Sequence, residues 1–500
     1  MKSGGFGGRQ PAARPADTRV MCAALLTSEV VPDTRSPMMS FGRVVVFQLV
    51  LVMVGVAGCT KQNPLDCSDG TCSDKAHPYC DKDGTVAGEP NTCIAASCSA
   101  PNVFVDCKGD TAVACNATGD GYTLTPCSMG CSAEAHGCNM CTPNGTYCTA
   151  DGVQACGADG APTTFEACAQ GCVADPQPHC AHLVPRYLPS VCDTAATGDV
   201  SLPAATLGTD LDPACTGGVV QQTAAPAICV VRGKTITIDS GVTLKVAGTR
   251  LLALVADDSV SIHGVVDASA DGVTSGPGGG SSLSGAGATT TNFGGGGAGF
   301  KTAGAPGANG TVDGGGASGG AVAADPAQLA VMVGGPRSEG GGGGGVILVA
   351  CRGSVSVDGL IDVGGGGGVG GAIHTTTPVG GGGGGAGGYV VMQGWTVAIT
   401  GKVYANGGGG GQGYYNGTGA SGADGSRSAT IGAQGGMGGG GNGGAGATKT
   451  TGAADGLHSG GGGGGGLGFL QTYTPANVTP TLTPQESSPD FQTNQTVQTQ

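Results

Sequence analysis

Three stretches of the chain decide its fold: LALVADDSVSIHGVVDA (252–268), ILVACRGSVSVDGLIDV (347–363) and YVVMQGWTVAITGKVYA (389–405). Laid end to end, Leu252, Leu254, Val260, Ile262 and Val266 of the first match Ile347, Val349, Val355, Val357 and Ile361 of the second. They match Tyr389, Val391, Val397, Ile399 and Val403 of the third. Apolar residues at every second position mark strands, so each stretch predicts three short strands, with Gly264, Gly359 or Gly401 turning the chain between the second and third. Ile236–Ile238 with Leu244–Val246 reads as an earlier partial copy, and Leu467–Phe469 as a terminal fragment.

One such unit cannot bury its apolar face alone, whereas stacked units can line up Val, Ile and Leu as internal ladders. The expected class is all-β: small disulfide-rich modules followed by a parallel β-helix-like solenoid interrupted by polyglycine loops. A sandwich is the competing arrangement, since three strands per unit can also pair antiparallel. The constant order of equivalent positions favours the solenoid, placed at 235–473.

Glycine fills the intervals between these units. Of 105 glycines, 77 fall within 272–468, in tracts at 276–345, 364–388 and 407–466. No strict Gly-X-Y period supports collagen, and no tract ends in the Gly-Lys-Ser/Thr of a phosphate-binding loop. Two arrangements stay open: flexible loops protruding from one edge, because polyglycine is the costliest chain to order, or packed polyproline-II-like strands that need glycine for close approach.

Upstream, cysteine replaces glycine as the dominant signal. Sixteen of the 22 cysteines lie between Cys67 and Cys180. Cys67, Cys72, Cys80 and Cys93 form a four-cysteine module within 59–97. Cys98, Cys107, Cys115, Cys127, Cys131 and Cys138 form one repeat (98–138), and Cys141, Cys148, Cys156, Cys168, Cys172 and Cys180 a second (139–180). The spacing recurs almost residue for residue, and this density in an exported segment predicts disulfides whose pairing the sequence leaves open. Zinc is disfavoured, because only Cys138 and Cys141 have knuckle spacing and they straddle a repeat boundary. His179 and His182 flank a cysteine that the repeat requires, and Asp81–Gly84 reads as a turn. Cys351 shares the parity of Val349 and is expected to face inward, either bonded to one of Cys192, Cys215 and Cys229 or left as a buried thiol. Residues 181–234 read as a linker or solenoid cap.

The export signal lies at the amino-terminal end. Arg43, the apolar run Val44–Gly55 and Val56-Ala57-Gly58-Cys59 form a short basic, apolar and small-residue sequence over 38–58, too short for a membrane span of roughly 20 residues. It resembles the lipobox of bacterial lipoproteins, which implies cleavage before Cys59 and lipidation of that residue. Residues 1–37 lack this character and read as an upstream extension that is not native, with translation starting at Met38 or Met39. Lipobox, cysteine modules and Gly-interrupted repeats together resemble Cys-rich, Gly-rich cell-envelope lipoproteins of the myxobacterial type, across most of 59–470. The resemblance implies a lipid-anchored protein of the cell envelope, most simply the outer membrane, and carries no catalytic residues. Residues 474–500, rich in Thr, Gln and Pro, are expected to be disordered.

Charge narrows the function further. Residues 1–58 hold six Lys/Arg and three Asp/Glu, leaving 15 against 32, a formal charge of −17. Such a polyanion is repelled by nucleic acid. No cofactor motif and no metal site are expected, and no catalytic residue is assigned. The enzymatic alternative is a β-helix acting on polysaccharide through Asp267 and Asp362, which occupy equivalent repeat positions, with Asp257, Asp258 and Asp358 nearby. Sparse aromatics around Trp395 (Tyr389, Tyr404, Tyr414 and Tyr415) argue against a stacking lectin surface. The favoured expectation is a lipid-anchored structural or adhesive envelope protein. Its partners would be the membrane, through the lipid, and a cell surface or matrix; its oligomeric state stays open.

Overall fold

A computed structural model describes residues 65–96, 98–134, 136–280, 293–310, 316–322, 331–374, 377–414, 417–437 and 459–500. The signal segment and Cys59 lie outside these residues. Among the described residues no helix is long and apolar enough to cross a membrane.

The repeated units stack as a pair of parallel ladders: each strand bonds its equivalent in the next coil. One sheet runs from Ile228–Ile238 to Leu251–Ile262, then to Gly345–Ala350 with Ser354–Val357, Tyr389–Gln393 with Thr396–Ile399, and Phe469–Thr474 with Thr481–Leu482. The other stacks Ala205–Gly208, Thr243–Ala247, Val265–Asp267, Leu360–Asp362, Lys402–Tyr404 and Glu486–Ser488. Between them Leu254, Val260, Ile262 and Val266 lie against Leu348, Val355, Val357 and Ile361, and these against Met392, Val397, Ile399 and Val403, almost all without solvent contact. Each such side chain contributes roughly 1.5–3 kcal/mol relative to exposure.

The first strand of each coil is buried on its outer face too. Ile347, Val349, Tyr389 and Val391 meet Leu183, Leu188 and Cys192 of a strap that crosses the sheet, together with Phe300 and Met332 from the first glycine tract. Cys351 therefore faces this outer cluster rather than the solenoid interior, and it is bonded to Cys192; Cys215 is bonded to Cys229.

Within the described residues the glycine tracts are hydrogen-bonded strands and not free loops. Gly381, Gly384 and Gly387 donate to the carbonyls of Gly460, Gly463 and Gly466, while Gly382, Gly385 and Gly388 donate to those of Val369, Gly366 and Val363. Gly340 and Gly343 donate to Gly383 and Ala386. Each segment thus bonds a different neighbour on each of three sides, with a step of three residues, which is the repeat of a polyproline-II strand and not of a β-strand. Residues 380–388 and 459–470 are buried throughout. A methyl group on Gly384, Gly381 or Gly387 would overlap the carbonyl oxygens of Gly408, Gly411 and Ala405. Packing this close is open only to glycine, and the hydrogen bonds, at about 1 kcal/mol net each, offset the entropy of ordering it.

The carboxyl-terminal segment is likewise ordered, contrary to its composition. Thr481–Leu482 and Glu486–Ser488 complete a further coil, Gln492–Thr496 begins another, and Gln498–Thr499 pairs antiparallel with Leu183–Val184. Its polar side chains suit a last coil whose outer edge no further strand covers among the described residues.

All sixteen cysteines from Cys67 to Cys180 are disulfide-bonded within their own modules. The first module pairs Cys67–Cys80 and Cys72–Cys93. The repeats share one connectivity: Cys98–Cys115, Cys107–Cys131 and Cys127–Cys138 correspond to Cys141–Cys156, Cys148–Cys172 and Cys168–Cys180. Each repeat folds as a three-stranded antiparallel sheet followed by a short hairpin.

Candidate functional site

The carboxylate ladder named from the sequence is real in register: Asp267 pairs with Asp362, and Asp362 with Tyr404. Parallel stacking of equivalent strand ends brings them to one edge of the second sheet. There Arg427, from the third glycine tract, reaches back over them. Its Nε donates to Asp362 Oδ2 at 2.7 Å, and its other guanidinium nitrogen to Asp267 Oδ2 at 3.2 Å. Asp362 is buried and also accepts the Gly364 N–H, while Asp267 accepts from the Ser269 hydroxyl at 2.6 Å. Burial pushes the Asp362 carboxyl above its ordinary range, against the pull of Arg427. Beside them Tyr404 donates to Glu486 at 2.7 Å, and the Ala429 N–H, with this hydroxyl, holds the Glu486 carboxyl below its usual range. The arrangement ties a glycine tract to the solenoid edge. Arg427 carried no signal in the sequence beyond being, with Lys449, one of two Lys/Arg residues in the third glycine tract.

The other acidic candidates are dispersed. Asp257 is buried, pairs with Arg232 and accepts the Ala196 N–H at 2.6 Å, pinning the segment before the first coil. Asp258 lies 3.8 Å from Lys234, and Asp358 bonds His263 at 2.8 Å, both at the surface. In the first cysteine module the Asp81 carboxylate accepts the N–H groups of Thr85, Val86 and Ala87, which makes 81–87 a self-capped turn. The sulfurs of Cys67, Cys72 and Cys93 lie within 4.8 Å of one another, but all are in disulfides and present no thiolate to a metal. His182 is buried and its Nδ1 lies 3.0 Å from the Leu183 carbonyl. Trp395 donates to the Cys351 carbonyl, and Tyr389 and Tyr404 are buried, so none of the three forms an open stacking face. Tyr414 bonds Ser459 through its backbone N–H, and Tyr415 lies outside the described residues.

The glycine bundle presents a different kind of surface. Its strands run outward from the coils and turn back. Near one turn, Val369, Ala372, Ile373 and Val379 line a cleft of about 200 Å³ whose floor is the backbone of Gly380–Gly382. Ile373 is 52% and Met437 82% exposed, on segments bonded toward this same end: Gly371 donates to Gln412, and Gly436 packs on Gln412 and Ala420. The bundle therefore holds apolar side chains in water on a hydrogen-bonded backbone array. Comparison with protein-family models, with curated proteins and with solved structures finds no match.

Proposed function

We propose that this chain is a lipid-anchored structural protein of the bacterial cell envelope, held by lipidated Cys59, with its cysteine modules as a stalk and its glycine bundle as an adhesive contact surface. The observation that carries the reading is the bundle itself: three-way backbone hydrogen bonding makes the tracts a rigid projection rather than slack loops. Ten disulfides fit an exported, oxidising setting. The resemblance to myxobacterial-type lipoproteins supports the envelope assignment. The engagement of Asp267 and Asp362 by Arg427 favours a structural over a catalytic use of that ladder.

Two measurements test it. Palmitate labelling should be present in the wild-type protein and lost in Cys59→Ser; label that persists refutes the anchor. Protease treatment of unbroken cells should remove the bundle, and Ile373→Asp with Met437→Asp should reduce cell attachment. A bundle protected until the envelope is opened, or attachment unchanged by the double variant, refutes the adhesive role.

A further inference from the structure

A second candidate site lies where the strap meets the last coil, with Val331 of the first glycine tract on its wall. A cleft of about 640 Å³ opens there, within the ~300–1,000 Å³ typical of small-molecule sites. Its described lining includes Pro185, Arg186, Tyr187, Gln221, Thr223 and Gln498, and contains one formal charge, that of Arg186, and no carboxylate. In a chain of net charge −14 that selection is informative.

Neutral groups hold Arg186. Gln393, fully buried, anchors its main chain: it accepts the Arg186 backbone N–H at 2.7 Å and donates to the Arg186 carbonyl at 3.1 Å. The guanidinium lies 5.3 Å from the Tyr187 ring centre and 5.8 Å from that of Tyr473. Aromatic faces position a guanidinium without cancelling its charge. Tyr187 adopts φ 69°, a costly conformation for a bulky residue. Its hydroxyl lies 3.2 Å from that of Tyr389, which anchors the ring. Around this cation the rim offers amides and hydroxyls from exposed Gln221, Thr223 and Gln498, and the walls offer the flat faces of Pro185 and Tyr187.

We infer that this cleft binds a carboxylate-bearing sugar, a hexuronate residue of an acidic polysaccharide, with the carboxylate on Arg186 and the hydroxyls on the rim. A guanidinium offers paired N–H donors in the geometry of a carboxylate, and amide side chains supply both donors and acceptors for sugar hydroxyls. The chain's overall negative charge does not prevent this, because at physiological salt it is screened beyond about 8 Å. The inference is independent of the adhesive reading of the bundle, and its test uses purified protein, so the two stand or fall separately.

The test is calorimetric titration of the folded, oxidised protein with trigalacturonate, its full methyl ester, acetate and a short peptide with a free carboxyl terminus. The trisaccharide should bind, its ester at least tenfold more weakly, and acetate and the peptide not at all. Arg186→Gln should lose at least tenfold, since its backbone anchor to Gln393 is retained. Gln498→Ala on the exposed rim, which puts no core contact at risk, should lose several-fold. Equal binding of acid and ester, or of wild type and Arg186→Gln, overturns the role of the cation. Equal binding of the peptide or acetate overturns the sugar.

Discussion

At Gly384 an added methyl would meet the Gly408 carbonyl oxygen, a rigid backbone atom with nowhere to move. Gly384→Ala should therefore lower stability by about 1–3 kcal/mol or more, the cost of overpacking, read as a fall in the thermal midpoint. Gly198→Ala, where the new carbon meets nothing, should stay within about 0.5 kcal/mol. Equal effects would mean that the tracts are not packed in this way. At Arg427 the argument is electrostatic. Arg427→Gln leaves the buried Asp362 carboxyl without its cation, at a cost near or below the ~3–5 kcal/mol of a fully buried pair, because the guanidinium is 48% exposed. Burial raises the Asp362 carboxyl above its unfolded value, and without Arg427 only the Gly364 N–H opposes it. The carboxyl is then neutral and harmless at acid pH, and the deficit grows as pH rises through the folded-state value. The gap in melting temperature between Arg427→Gln and wild type should thus widen from pH 4 to pH 8. A gap independent of pH would place the loss elsewhere. Asp267 and Asp362 were visible in the sequence because strand equivalence aligns them; Arg427 was not, because its contact spans a glycine tract of no fixed length.

Elements show where sequence alignment of the units held and where it slipped. Val260, Val355 and Val397 stack as their spacing implied, and so do Val266, Ile361 and Val403. In the first strand the true partners of Leu252 are Val346 and Val390, not Ile347 and Tyr389. The corner between the first and second strands differs in length from coil to coil, so counting back from the second strand misplaces the first. A one-residue slip exchanges faces, and here both faces are buried, so no polar residue marked the error. That double burial depends on the strap, which Cys192–Cys351 closes across 159 residues. Cys351→Ser should cost about 2–5 kcal/mol, the usual loss for a native disulfide, and should speed proteolysis within 181–193 before the coils themselves. Survival of the strap at wild-type rates would show that apolar contact alone holds it. The tail escaped notice for a related reason. Its Thr and Gln residues pair through the backbone, and composition registers only what side chains bury.

For the whole molecule, the two halves gain their stability by different means. In the second cysteine repeat the buried apolar cluster is Val153 with Cys168, Cys180 and Cys172, a core made largely of the disulfides themselves. The solenoid has a continuous ladder of Val, Ile and Leu through every coil. Small modules that cannot build a core depend on their cross-links, and this division of labour was legible from cysteine spacing and strand periodicity alone. What stayed illegible was the state of the glycine, because a residue without a side chain has no pattern, and order there arises from neighbours far along the chain. The division has a measurable consequence. Under reducing conditions at 25 °C the modules should unfold and be digested from about 65 to 180, leaving a protected fragment that begins before the Ala205–Gly208 strand and retains the glycine bundle. The Arg352–Glu166 ion pair, 2.6 Å across the join, is partly exposed and too weak to hold the modules once they are reduced. If instead the bundle is cleaved as fast as the modules, its backbone hydrogen bonds do not suffice to order it. The rigid projection on which the adhesive reading rests would then be lost with it.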